Sequence, residues 1–255
     1  MDNEKIFDYF EKQAKTGKWD SLYNPQNPIS YPFILRLQKA LGFLKIVKDK
    51  TICDLGCGTG ILIPFIMERD GNYVGVDNSP EMIKIIEEKH PSFSQPNKIT
   101  LVCSDFQNLK IDKSCDIFIG LGFIEYFSEP EKVIKKIYDY LPAGGQLILS
   151  FPNFQSLDYY SLIFFSPLRY LVRKIFDIST PQPPRRLWTL AKAKKMFEDT
   201  GFRNQAHVNY NVNVLFYPFY RFIPKFCNVI AKMAEYSWLS KISFFSTGFI
   251  ISGKK

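Results

Sequence analysis

Between residues 48 and 152, short apolar runs alternate with segments whose apolar positions recur every three or four residues. The short runs predict five strands: Thr51–Leu55, Tyr73–Val76, Ile99–Cys103, Asp116–Leu121 and Gln146–Phe151. The segments between them predict helices over Ile61–Arg69, from Ser79 to about Lys89, and over Glu131–Leu141. Strands that alternate with helices in this way favour an α/β fold, with a mostly parallel sheet covered by helices on both faces.

Outside that region the pattern changes. Apolar spacing over residues 32–47 predicts a helix, and we assign residues 1–47 to an N-terminal helical cap or lid. The main domain is then 48–255. Its later elements are predicted as a helix and two strands: Trp188–Thr200, Arg203–Val212 and Phe244–Ser252. The aromatic and basic stretches between them, 154–187 and 214–243, are interpreted as helical insertions into a seven-stranded domain.

Composition narrows the class of protein. The chain has 255 residues, of which 46% are apolar and 23% charged, which is typical of a globular protein. No apolar run approaches the roughly 18 residues that span a bilayer, and the acidic start is not a secretory signal, so we expect a cytoplasmic protein. The five cysteines include no CxxC pair, so neither a disulfide nor a metal site is expected. Cys53, Cys103 and Cys115 are predicted to be buried free thiols.

Charge is distributed unevenly along the chain. Residues 1–154 hold 18 Lys and Arg against 20 Asp and Glu, a balance of −2. Residues 155–255 hold 15 against 5, a balance of +10. This asymmetry indicates either an anionic partner, such as a phosphate-bearing substrate or a membrane surface, or simply a solubilising surface.

The sequence from Asp54 to Gly60, DLGCGTG, places a glycine loop between the first predicted strand and the following helix. Glycine allows a sharp turn and close approach of a ligand to the backbone. The dinucleotide fingerprint G-x-G-x-x-G is not met from either Gly56 or Gly58, because Ile61 and Ile63 stand at the last position. A Walker loop is excluded as well, because no Lys-Ser or Lys-Thr pair follows the glycines.

Two further carboxylates follow the next strands. Asp77 ends the second strand, 21 residues after Gly56, where a carboxylate can accept hydrogen bonds from ribose hydroxyls. Asp105 follows the third strand with Phe106 beside it, where an adenine amino group could be bound. Since the carboxyl ends of parallel strands meet at one edge of a sheet, Asp54, Asp77 and Asp105 are predicted to surround one pocket.

Four segments in this order resemble the class I S-adenosylmethionine-dependent methyltransferases: CDLGCGTG at 53–60, GVDNSPEM at 75–82, CSDF at 103–106 and LPAGG at 141–145. The resemblance implies a Rossmann-like seven-stranded sheet and S-adenosylmethionine as cofactor. It implies that Gly56, Cys57, Gly58 and Gly60 line the methionine part, with Asp54 near its amino group. Asp77 would hold the ribose. The remaining implied contacts are Asn78 and Met82 at the adenine, Asp105 and Phe106 at its amino group, and Leu121 under the sulfonium.

The acceptor side has weaker candidates. Family members acting in quinone biosynthesis often carry Glu-His after the fourth strand, whereas this chain has Glu125-Tyr126. Glu125 and Tyr126 are the catalytic candidates. No general base is assigned, because the two histidines are predicted to lie elsewhere, His90 at a helix end and His207 in a strand. The segment from Gly17 to Arg36 resembles methyltransferases that act on quinones and Mg-porphyrins. This resemblance implies that Tyr23, Tyr31 or Arg36 approaches the cofactor carboxylate.

The insertions combine aromatic stretches with interleaved basic residues, including Arg169, Arg173, Lys174, Arg221 and Lys225. This composition predicts a lid over an apolar acceptor, extra core or a membrane-contact surface. Arg185 and Arg186 are candidates for holding an acidic group of the acceptor.

The resulting prediction is methyl transfer to a small acceptor that is apolar or lipid-like, with or without an anionic group, and peripheral contact at the inner face of a membrane. O-, C- and N-methylation stay open, as does the oligomeric state. The alternatives are a non-catalytic cofactor-binding module docked on a membrane assembly, and an RNA or protein methyltransferase that uses the basic C-terminal face. Nucleic acid is the less favoured partner, because the aromatics form apolar clusters rather than a recognised RNA-binding motif.

Overall fold

The computed structural model describes residues 3–27, 29–90, 98–110, 114–167, 170, 174, 183–215, 217 and 219–255. Seven strands form one sheet: β1 (Thr51–Leu55), β2 (Asn72–Asp77), β3 (Ile99–Cys103), β4 (Ile117–Gly120), β5 (Gln146–Pro152), β6 (Arg203–Val212) and β7 (Ser246–Lys254). The five strands predicted before residue 152 are all present, within one residue of their expected ends.

The strands are ordered β3-β2-β1-β4-β5-β7-β6 across the sheet. Strands β1 to β5 run parallel, whereas β7 is antiparallel to both β5 and β6. The order of the chain reverses between β1 and β4, and ligands bind at the carboxyl ends of the strands beside such a switch point. The predicted fold class, a mostly parallel Rossmann-like sheet with seven strands, is therefore confirmed.

The helices of the described chain are α1 (Asn3–Lys15), α2 (Lys18–Ser21), α3 (Tyr31–Leu41), α4 (Ile63–Met67), α5 (Pro80–Lys89), α6 (Pro130–Tyr140), α7 (Leu157–Phe164), α8 (Leu190–Thr200), α9 (Phe219–Phe222) and α10 (Pro224–Glu235). Helix α5 begins as predicted, because the Ser79 hydroxyl accepts a hydrogen bond from the Met82 N–H at 3.1 Å. Helix α8 ends at Gly201, which has a φ of 109°. Helix α4 is shorter than predicted and starts so that Pro64 falls in its first turn.

Alternate side chains of the strands form two apolar clusters, one on each face of the sheet. On one face, Leu149 and Phe151 pack with side chains of α6 and α8. On the other, Ile148 packs with side chains of α3, α4 and α5. The Phe151 ring is fully buried, with its centroid 5.4 Å from that of Trp188 and 5.6 Å from that of Phe249. Helices on both faces hold the sheet rigidly, so the strand ends stay at fixed positions.

The cysteines are all free thiols, and four of them are buried. The prediction that Cys103 is buried is wrong: it is exposed. Strand β3 lies at the outer end of the sheet, so the last residue of this strand is not covered by a further strand. Cys115 is buried as expected, but it precedes β4 rather than belonging to it.

The N-terminal segment lies over the start of α5. The Glu11 carboxylate accepts a hydrogen bond from the Ser79 hydroxyl at 2.5 Å, and Asp20 forms an ion pair with Lys89 at 2.5 Å. Ser79 follows the end of β2, so these contacts bring the segment to the carboxyl edge of the sheet. The assignment of residues 1–47 to a separate cap stays a prediction.

Both predicted insertions lie at that same edge. The first contributes α7, and the second contributes α9, α10 and the 3-10 helix Trp238–Lys241. A further 3-10 helix, Ser243–Phe245, takes up the first residues of the strand predicted from Phe244, so β7 begins at Ser246. The first insertion follows the carboxyl end of β5, where Pro152 pairs with Gly248 of β7. The second follows the carboxyl end of β6, where Val212 pairs with Ser246 of β7. The predicted contacts at Arg169 and Arg173 and the side chain of Arg221 lie outside the described residues. Nothing in the described part of the chain forms a helix of the length and apolar character needed to cross a membrane.

Candidate functional site

The glycine loop after β1 forms the floor of a cleft. Gly56, Gly58 and Gly60 all have positive φ, between 52° and 75°, which glycine adopts at little cost. A Cβ at Gly58 would lie 2.7 Å from the indole nitrogen of Trp19, and one at Gly56 would lie 3.2 Å from the Phe123 ring. The absence of a Cβ at Gly56 and Gly58 therefore lets the loop backbone itself form the surface of the cleft.

Gly60 behaves differently from the other two glycines. A Cβ at this position would lie 2.7 Å from Ile63 Cδ1 and 3.1 Å from Ile86 Cγ1, both in the apolar core. Gly60 does not line this cleft or the smaller cavity that adjoins it. A glycine is required here by the turn and by core packing, and a cofactor contact for Gly60 stays a prediction.

Asp77 at the end of β2 connects the loop to helix α5. One carboxylate oxygen accepts a hydrogen bond from the Gly58 N–H at 2.9 Å, and the other accepts one from the Ser79 N–H at 2.9 Å. Burial raises the pKa of Asp77, and these backbone hydrogen bonds oppose the rise. Each carboxylate oxygen has a second acceptor position, so two ribose hydroxyls can still be bound.

Asp54 lies deeper at the same strand edge. Its carboxylate is buried and accepts a hydrogen bond from the Tyr73 hydroxyl at 2.9 Å. Burial raises the pKa of Asp54 to about 7, and the charge of Asp77 adds to this effect while the Tyr73 hydrogen bond opposes it. A buried carboxylate of this kind gains strongly when a cationic group, such as an ammonium, comes beside it.

Most of the predicted cofactor residues meet in one cleft of about 770 Å³, open solvent at its mouth included. Those that line it are Gly56, Gly58, Asp77, Asn78, Met82, Asp105, Phe106 and Leu121. A smaller adjoining cavity is lined by Asp54 and Cys57 and shares Gly56 and Leu121 with the cleft. The three aspartates were predicted to surround one pocket. Asp77 and Asp105 line the cleft, whereas Asp54 lines the smaller cavity that adjoins it.

Asp105 also has a structural role. One of its carboxylate oxygens accepts a hydrogen bond from the Gln107 N–H at 2.7 Å and so begins the short 3-10 helix Phe106–Asn108. The Phe106 side chain is buried with its ring centroid 5.5 Å from that of Phe123. This pair gives the cleft an apolar wall of the kind that contacts an adenine ring.

Sequence reasoning missed the aromatic residues that cover the cleft from the N-terminal segment. Phe10 and Trp19 line it, with ring centroids 5.4 Å apart, and the Phe10 ring lies 5.2 Å from that of Tyr126. The amphipathic pattern around Ile6 and Phe10 was the available signal, but it could not specify which surface the helix covers. Tyr23 from the same segment lines the smaller cavity, beside Asp54.

The two catalytic candidates after β4 have different surroundings. Tyr126 lines the cleft, and burial raises the pKa of its hydroxyl. Glu125 is buried behind it, 3% exposed, and burial raises its pKa while the charges of Arg36 and Arg185 oppose the rise. The backbone carbonyl of Glu125 accepts a hydrogen bond from the Arg186 N–H at 2.9 Å.

Arg36 does not line either cavity. It is buried, and its guanidinium lies against Gly122, where an added Cβ would come within 2.8 Å of Nη1. Its Nη2 donates to the Tyr23 hydroxyl at 3.4 Å. A cofactor contact for Arg36 thus stays a prediction, and Gly122 separates it from the cleft. Tyr31, the other candidate, packs with the apolar cluster on the α3 face.

The donor set fits the implied cofactor. Asp77 can bind ribose hydroxyls, Asp54 can face the amino group of methionine, and the apolar side chains of Met82 and Phe106 line the adenine end. The glycines of the loop leave the space that a Cβ at Gly56 or Gly58 would fill. No cluster of three or more potential metal ligands occurs among the residues that the structure describes.

Comparison with known proteins agrees with this geometry. Residues 53–149 match a family model described as a methyltransferase domain. Over 168 residues the chain is 30% identical to a carboxy-S-adenosyl-L-methionine synthase of Shewanella sediminis, covering 63% of this chain and 68% of that protein. It is 29% identical to a malonyl-[acyl-carrier protein] O-methyltransferase of Priestia megaterium, covering 58% of this chain and 52% of the other. The chain spans about half the length of several curated relatives that it matches, between 41% and 56% of the relative's length.

Solved structures share the fold across the whole chain. The magnesium protoporphyrin IX methyltransferase of Synechocystis, in a crystal structure with bound SAH, superposes with a TM-score of 0.67 and covers 100% of both chains at 16% identity. At that identity the likeness concerns the fold alone. Together with the sequence matches and the strand-end carboxylates, it establishes that this chain belongs to the class I S-adenosylmethionine-dependent methyltransferase family.

Proposed function

We propose that this protein transfers a methyl group from S-adenosylmethionine to an apolar, lipid-like acceptor at an anionic membrane surface. The observation that carries the proposal is the position of the insertions: a broad exposed apolar surface adjoins the edge of the sheet that holds the cofactor cleft. An acceptor that is itself embedded in a lipid surface would reach the cleft from that side.

The residues of the cleft would act mainly by positioning. When bound, S-adenosylmethionine supplies a methyl group already activated by its sulfonium charge. Asp77 and the loop glycines hold the nucleoside and methionine parts, and Asp54 balances a positive charge in the smaller cavity. Phe10 and Trp19 exclude water above the cleft, so the reacting groups meet in a dry site.

The exposed apolar surface is formed by both insertions. On α10, Phe226 is 56% and Met233 67% exposed, and on the preceding short helix Phe222 is 77% exposed. On α7, Phe164 is 78% exposed. Ring contacts connect the two insertions, because the Phe165 and Tyr217 centroids are 5.8 Å apart. Large apolar side chains exposed on both insertions are more than single scattered residues, and they support an interaction site here.

Charge favours an anionic lipid surface as the partner. Lys225 and Lys232 lie on the same helix as the exposed Phe226 and Met233, and both are exposed. They belong to the part of the chain whose balance is +10, against −2 before residue 155. Basic residues near an anionic surface contribute on the order of 1 kcal/mol each and act together with inserted aromatic side chains.

A sedimentation experiment with vesicles tests the membrane contact. The protein should bind vesicles that contain phosphatidylserine, should bind pure phosphatidylcholine vesicles less, and should dissociate as salt rises to physiological strength. Replacing Lys225 and Lys232 with Glu should weaken binding at least about tenfold. The matched control is the same reversal at Lys192 and Lys195 on α8, which should change binding much less. Equal binding by both double variants would contradict docking through this surface.

A transfer assay tests the reaction itself. Incubation with methyl-labelled S-adenosylmethionine and a total lipid extract should move label into the organic phase. Label in RNA or protein instead would support the alternative methyltransferase classes. Cofactor binding by calorimetry without transfer to lipid, RNA or protein would support the non-catalytic module.

A further inference from the structure

The segment after β3 carries two of the predicted adenine contacts on very little regular structure. Asp105 precedes and Phe106 begins a 3-10 helix of only three residues. The Asn108 N–H donates to the Asp105 carbonyl at 3.0 Å, and the Leu109 N–H donates to the next carbonyl at 3.2 Å. A 3-10 turn has poorer hydrogen-bond geometry than an α-helix, so a single one holds its position weakly by itself. Contacts from outside the turn are therefore needed to fix it.

Helix α6 supplies such contacts through two side chains one turn apart. The Lys136 Nζ donates to the Phe106 carbonyl at 2.9 Å and to the Gln107 carbonyl at 2.7 Å. The Tyr140 hydroxyl donates to the Leu109 carbonyl at 2.8 Å. Since residues four apart lie on one face of a helix, these side chains act together. They bind three carbonyls of the segment and hold the turn against α6.

One peptide group connects Lys136 to Asp105. The carbonyl of Phe106 and the N–H of Gln107 belong to the same planar unit. Lys136 binds the carbonyl end of this unit, and the N–H end donates to an Asp105 carboxylate oxygen at 2.7 Å. Fixing the orientation of the peptide group therefore also fixes the carboxylate. An ionised carboxylate has further acceptor positions, so it can still bind an amino group.

Lys136 also interacts directly with the two residues that line the cleft. Its Nζ lies 5.2 Å from the centroid of the Phe106 ring, whose face attracts a cation. Partial burial lowers the pKa of the Lys136 ammonium, and the negative charge of Asp105 opposes this effect. Lys136 itself does not line the cleft, so it can affect a bound cofactor only through these neighbours.

The other lysines of α6 have a different environment. Lys135 pairs with Asp139 at 2.6 Å, and its side chain is 59% exposed. Lys132 pairs with Glu129 at 2.6 Å and is exposed as well. Such surface pairs contribute little to stability. Lys136 instead directs its charge to the backbone of the segment after β3, which gives it a role that its neighbours in the sequence do not share.

We propose that Lys136 is a positioning residue that sets the selectivity of this protein for adenine as the base of its cofactor. By holding the peptide group between Phe106 and Gln107, it places the Asp105 carboxylate where the amino group of the base can donate to it. Tyr140 supports the same turn. The role rests on the predicted contact between Asp105 and the base, and it holds whichever acceptor receives the methyl group.

A carboxylate distinguishes adenine from hypoxanthine by one substituent. Adenine has an amino donor, whereas hypoxanthine has a carbonyl oxygen at the same place, which a carboxylate repels. This distinction depends on where the carboxylate lies, because a hydrogen bond weakens steeply as its geometry departs from the optimum. A turn that is free to shift would lose the distinction while the apolar contacts of the base remain.

Binding of the reaction product and two analogues measures the selectivity without methyl transfer. The ligands are S-adenosylhomocysteine, S-inosylhomocysteine, which carries hypoxanthine, and 2′-deoxy-S-adenosylhomocysteine, each titrated by calorimetry. The parent protein should prefer adenine to hypoxanthine at least about tenfold. Lys136→Met should reduce this preference to about threefold or less. Lys136→Arg should restore most of it, because a guanidinium can also donate to two carbonyls. The preference over the 2′-deoxy analogue, which reports on the ribose end, should change by less than about twofold.

Lys135→Met is the matched control, and it should leave all three affinities unchanged. Equal affinity of the parent protein for the adenine and hypoxanthine ligands would overturn the proposal, because the segment would then bind no amino group. An equal loss of all three affinities in Lys136→Met would overturn it as well, since a general loss of folded protein has that effect. Thermal melting gives the folded fraction of each variant.

Hydrogen exchange tests the positioning itself in the free protein. The amides of Gln107 and Leu109 should exchange at least about fivefold faster in Lys136→Met, because the turn opens locally more often, while those of β4 stay unchanged. Tyr140→Phe, which removes the hydroxyl contact alone, should accelerate exchange at Leu109 by a smaller factor. Unchanged exchange at both amides in Lys136→Met, or faster exchange throughout the sheet, would contradict the role of Lys136.

The outcomes separate this proposal from the proposed function. A protein that selects adenine through Lys136 but methylates no lipid contradicts the lipid acceptor and leaves the positioning role supported. A protein that methylates lipid while Lys136→Met keeps the full preference for adenine contradicts the positioning role and leaves the transfer function supported.

Discussion

The two halves of the carboxyl edge of the sheet differ in the side chains that they bury and expose. At β1 and β2, the polar side chains of Asp54 and Asp77 are buried and held by a tyrosine hydroxyl and by backbone N–H groups. At β5 to β7, the insertions turn large apolar side chains such as Phe164 and Phe222 toward solvent. The cofactor half is therefore lined by buried, hydrogen-bonded carboxylates, whereas the other half exposes large apolar side chains.

The difference matches the proposed ligands of the two halves, a cofactor and a lipid surface. A cofactor of fixed shape is best met by rigid, preorganised groups, and short turns between strand and helix provide them from neighbouring residues. The proposed lipid surface has no fixed shape, and exposed apolar side chains beside basic residues suit such a partner.

Gly58→Val should abolish detectable cofactor binding, a loss of more than about 100-fold. Gly58 has a φ of 52°, which a β-branched residue rarely adopts, and its new side chain would meet Trp19 in the cleft. Calorimetry with S-adenosylmethionine measures the effect. Gly144→Val is the matched control, because Gly144 has a φ of 77° with open space around it, so the same strain arises far from the cleft. Normal cofactor affinity in Gly58→Val would show that the loop is not the site.

Asp77→Ala should weaken cofactor binding by about 1.5–3 kcal/mol, or roughly 10- to 150-fold, the range for lost hydrogen bonds to a charged group. The matched control is Asp116→Ala. Asp116 also accepts from a backbone N–H, that of Thr51 at 2.9 Å, and pairs with Lys50, but it lies at the other end of the strands. This control should lose stability without losing affinity. If both variants bind the cofactor equally well, Asp77 has no ribose role.

Cofactor affinity should fall by about tenfold from pH 8 to pH 6. The pKa of Asp54 is raised from 3.8 to about 7, so at pH 6 the free protein holds a proton that must leave before the carboxylate can attract a cationic amino group. The raised pKa also links the free energy of unfolding to pH. This free energy falls as pH rises from 3.8 to about 7, because the folded protein still holds a proton that the unfolded chain has released. Calorimetry in buffers of different ionisation enthalpy should detect the proton release, and Asp54→Asn should abolish it. An unchanged proton release in that variant would assign the titration elsewhere.

Phe226→Ser with Met233→Ser should change the free energy of unfolding by less than about 0.5 kcal/mol for each site, because both side chains are exposed. The same double variant should bind anionic vesicles less. Phe151→Ala, in the core on β5, should cost about 3–5 kcal/mol by comparison. Urea unfolding measures these differences. A large loss of stability in the α10 double variant would instead indicate that its apolar face is part of the folded core.

Much of the cofactor half could be predicted from the sequence, since its information is local. The glycine loop, the serine that begins α5 and the acidic residues at strand ends are each specified within a few positions of one another. The packing of Gly60 against Ile63 and Ile86 was not predictable in this way, because it depends on where helices α4 and α5 lie on the sheet. The exposure of Cys103 likewise depended on the place of β3 at the outer end of the sheet.

The sequence by itself determined the class of fold, the order of the strands along the chain and the residues able to hold a nucleoside and an amino acid. Tertiary structure decided what covers the cleft and what lies behind it. Phe10 and Trp19 reach the cleft, and the charge of buried Arg36 opposes the rise in the pKa of Glu125, 89 positions later in the sequence. Such contacts depend on how helices far apart in the chain pack onto one sheet. Helical periodicity indicates that a face is apolar, but it does not specify which surface that face will cover.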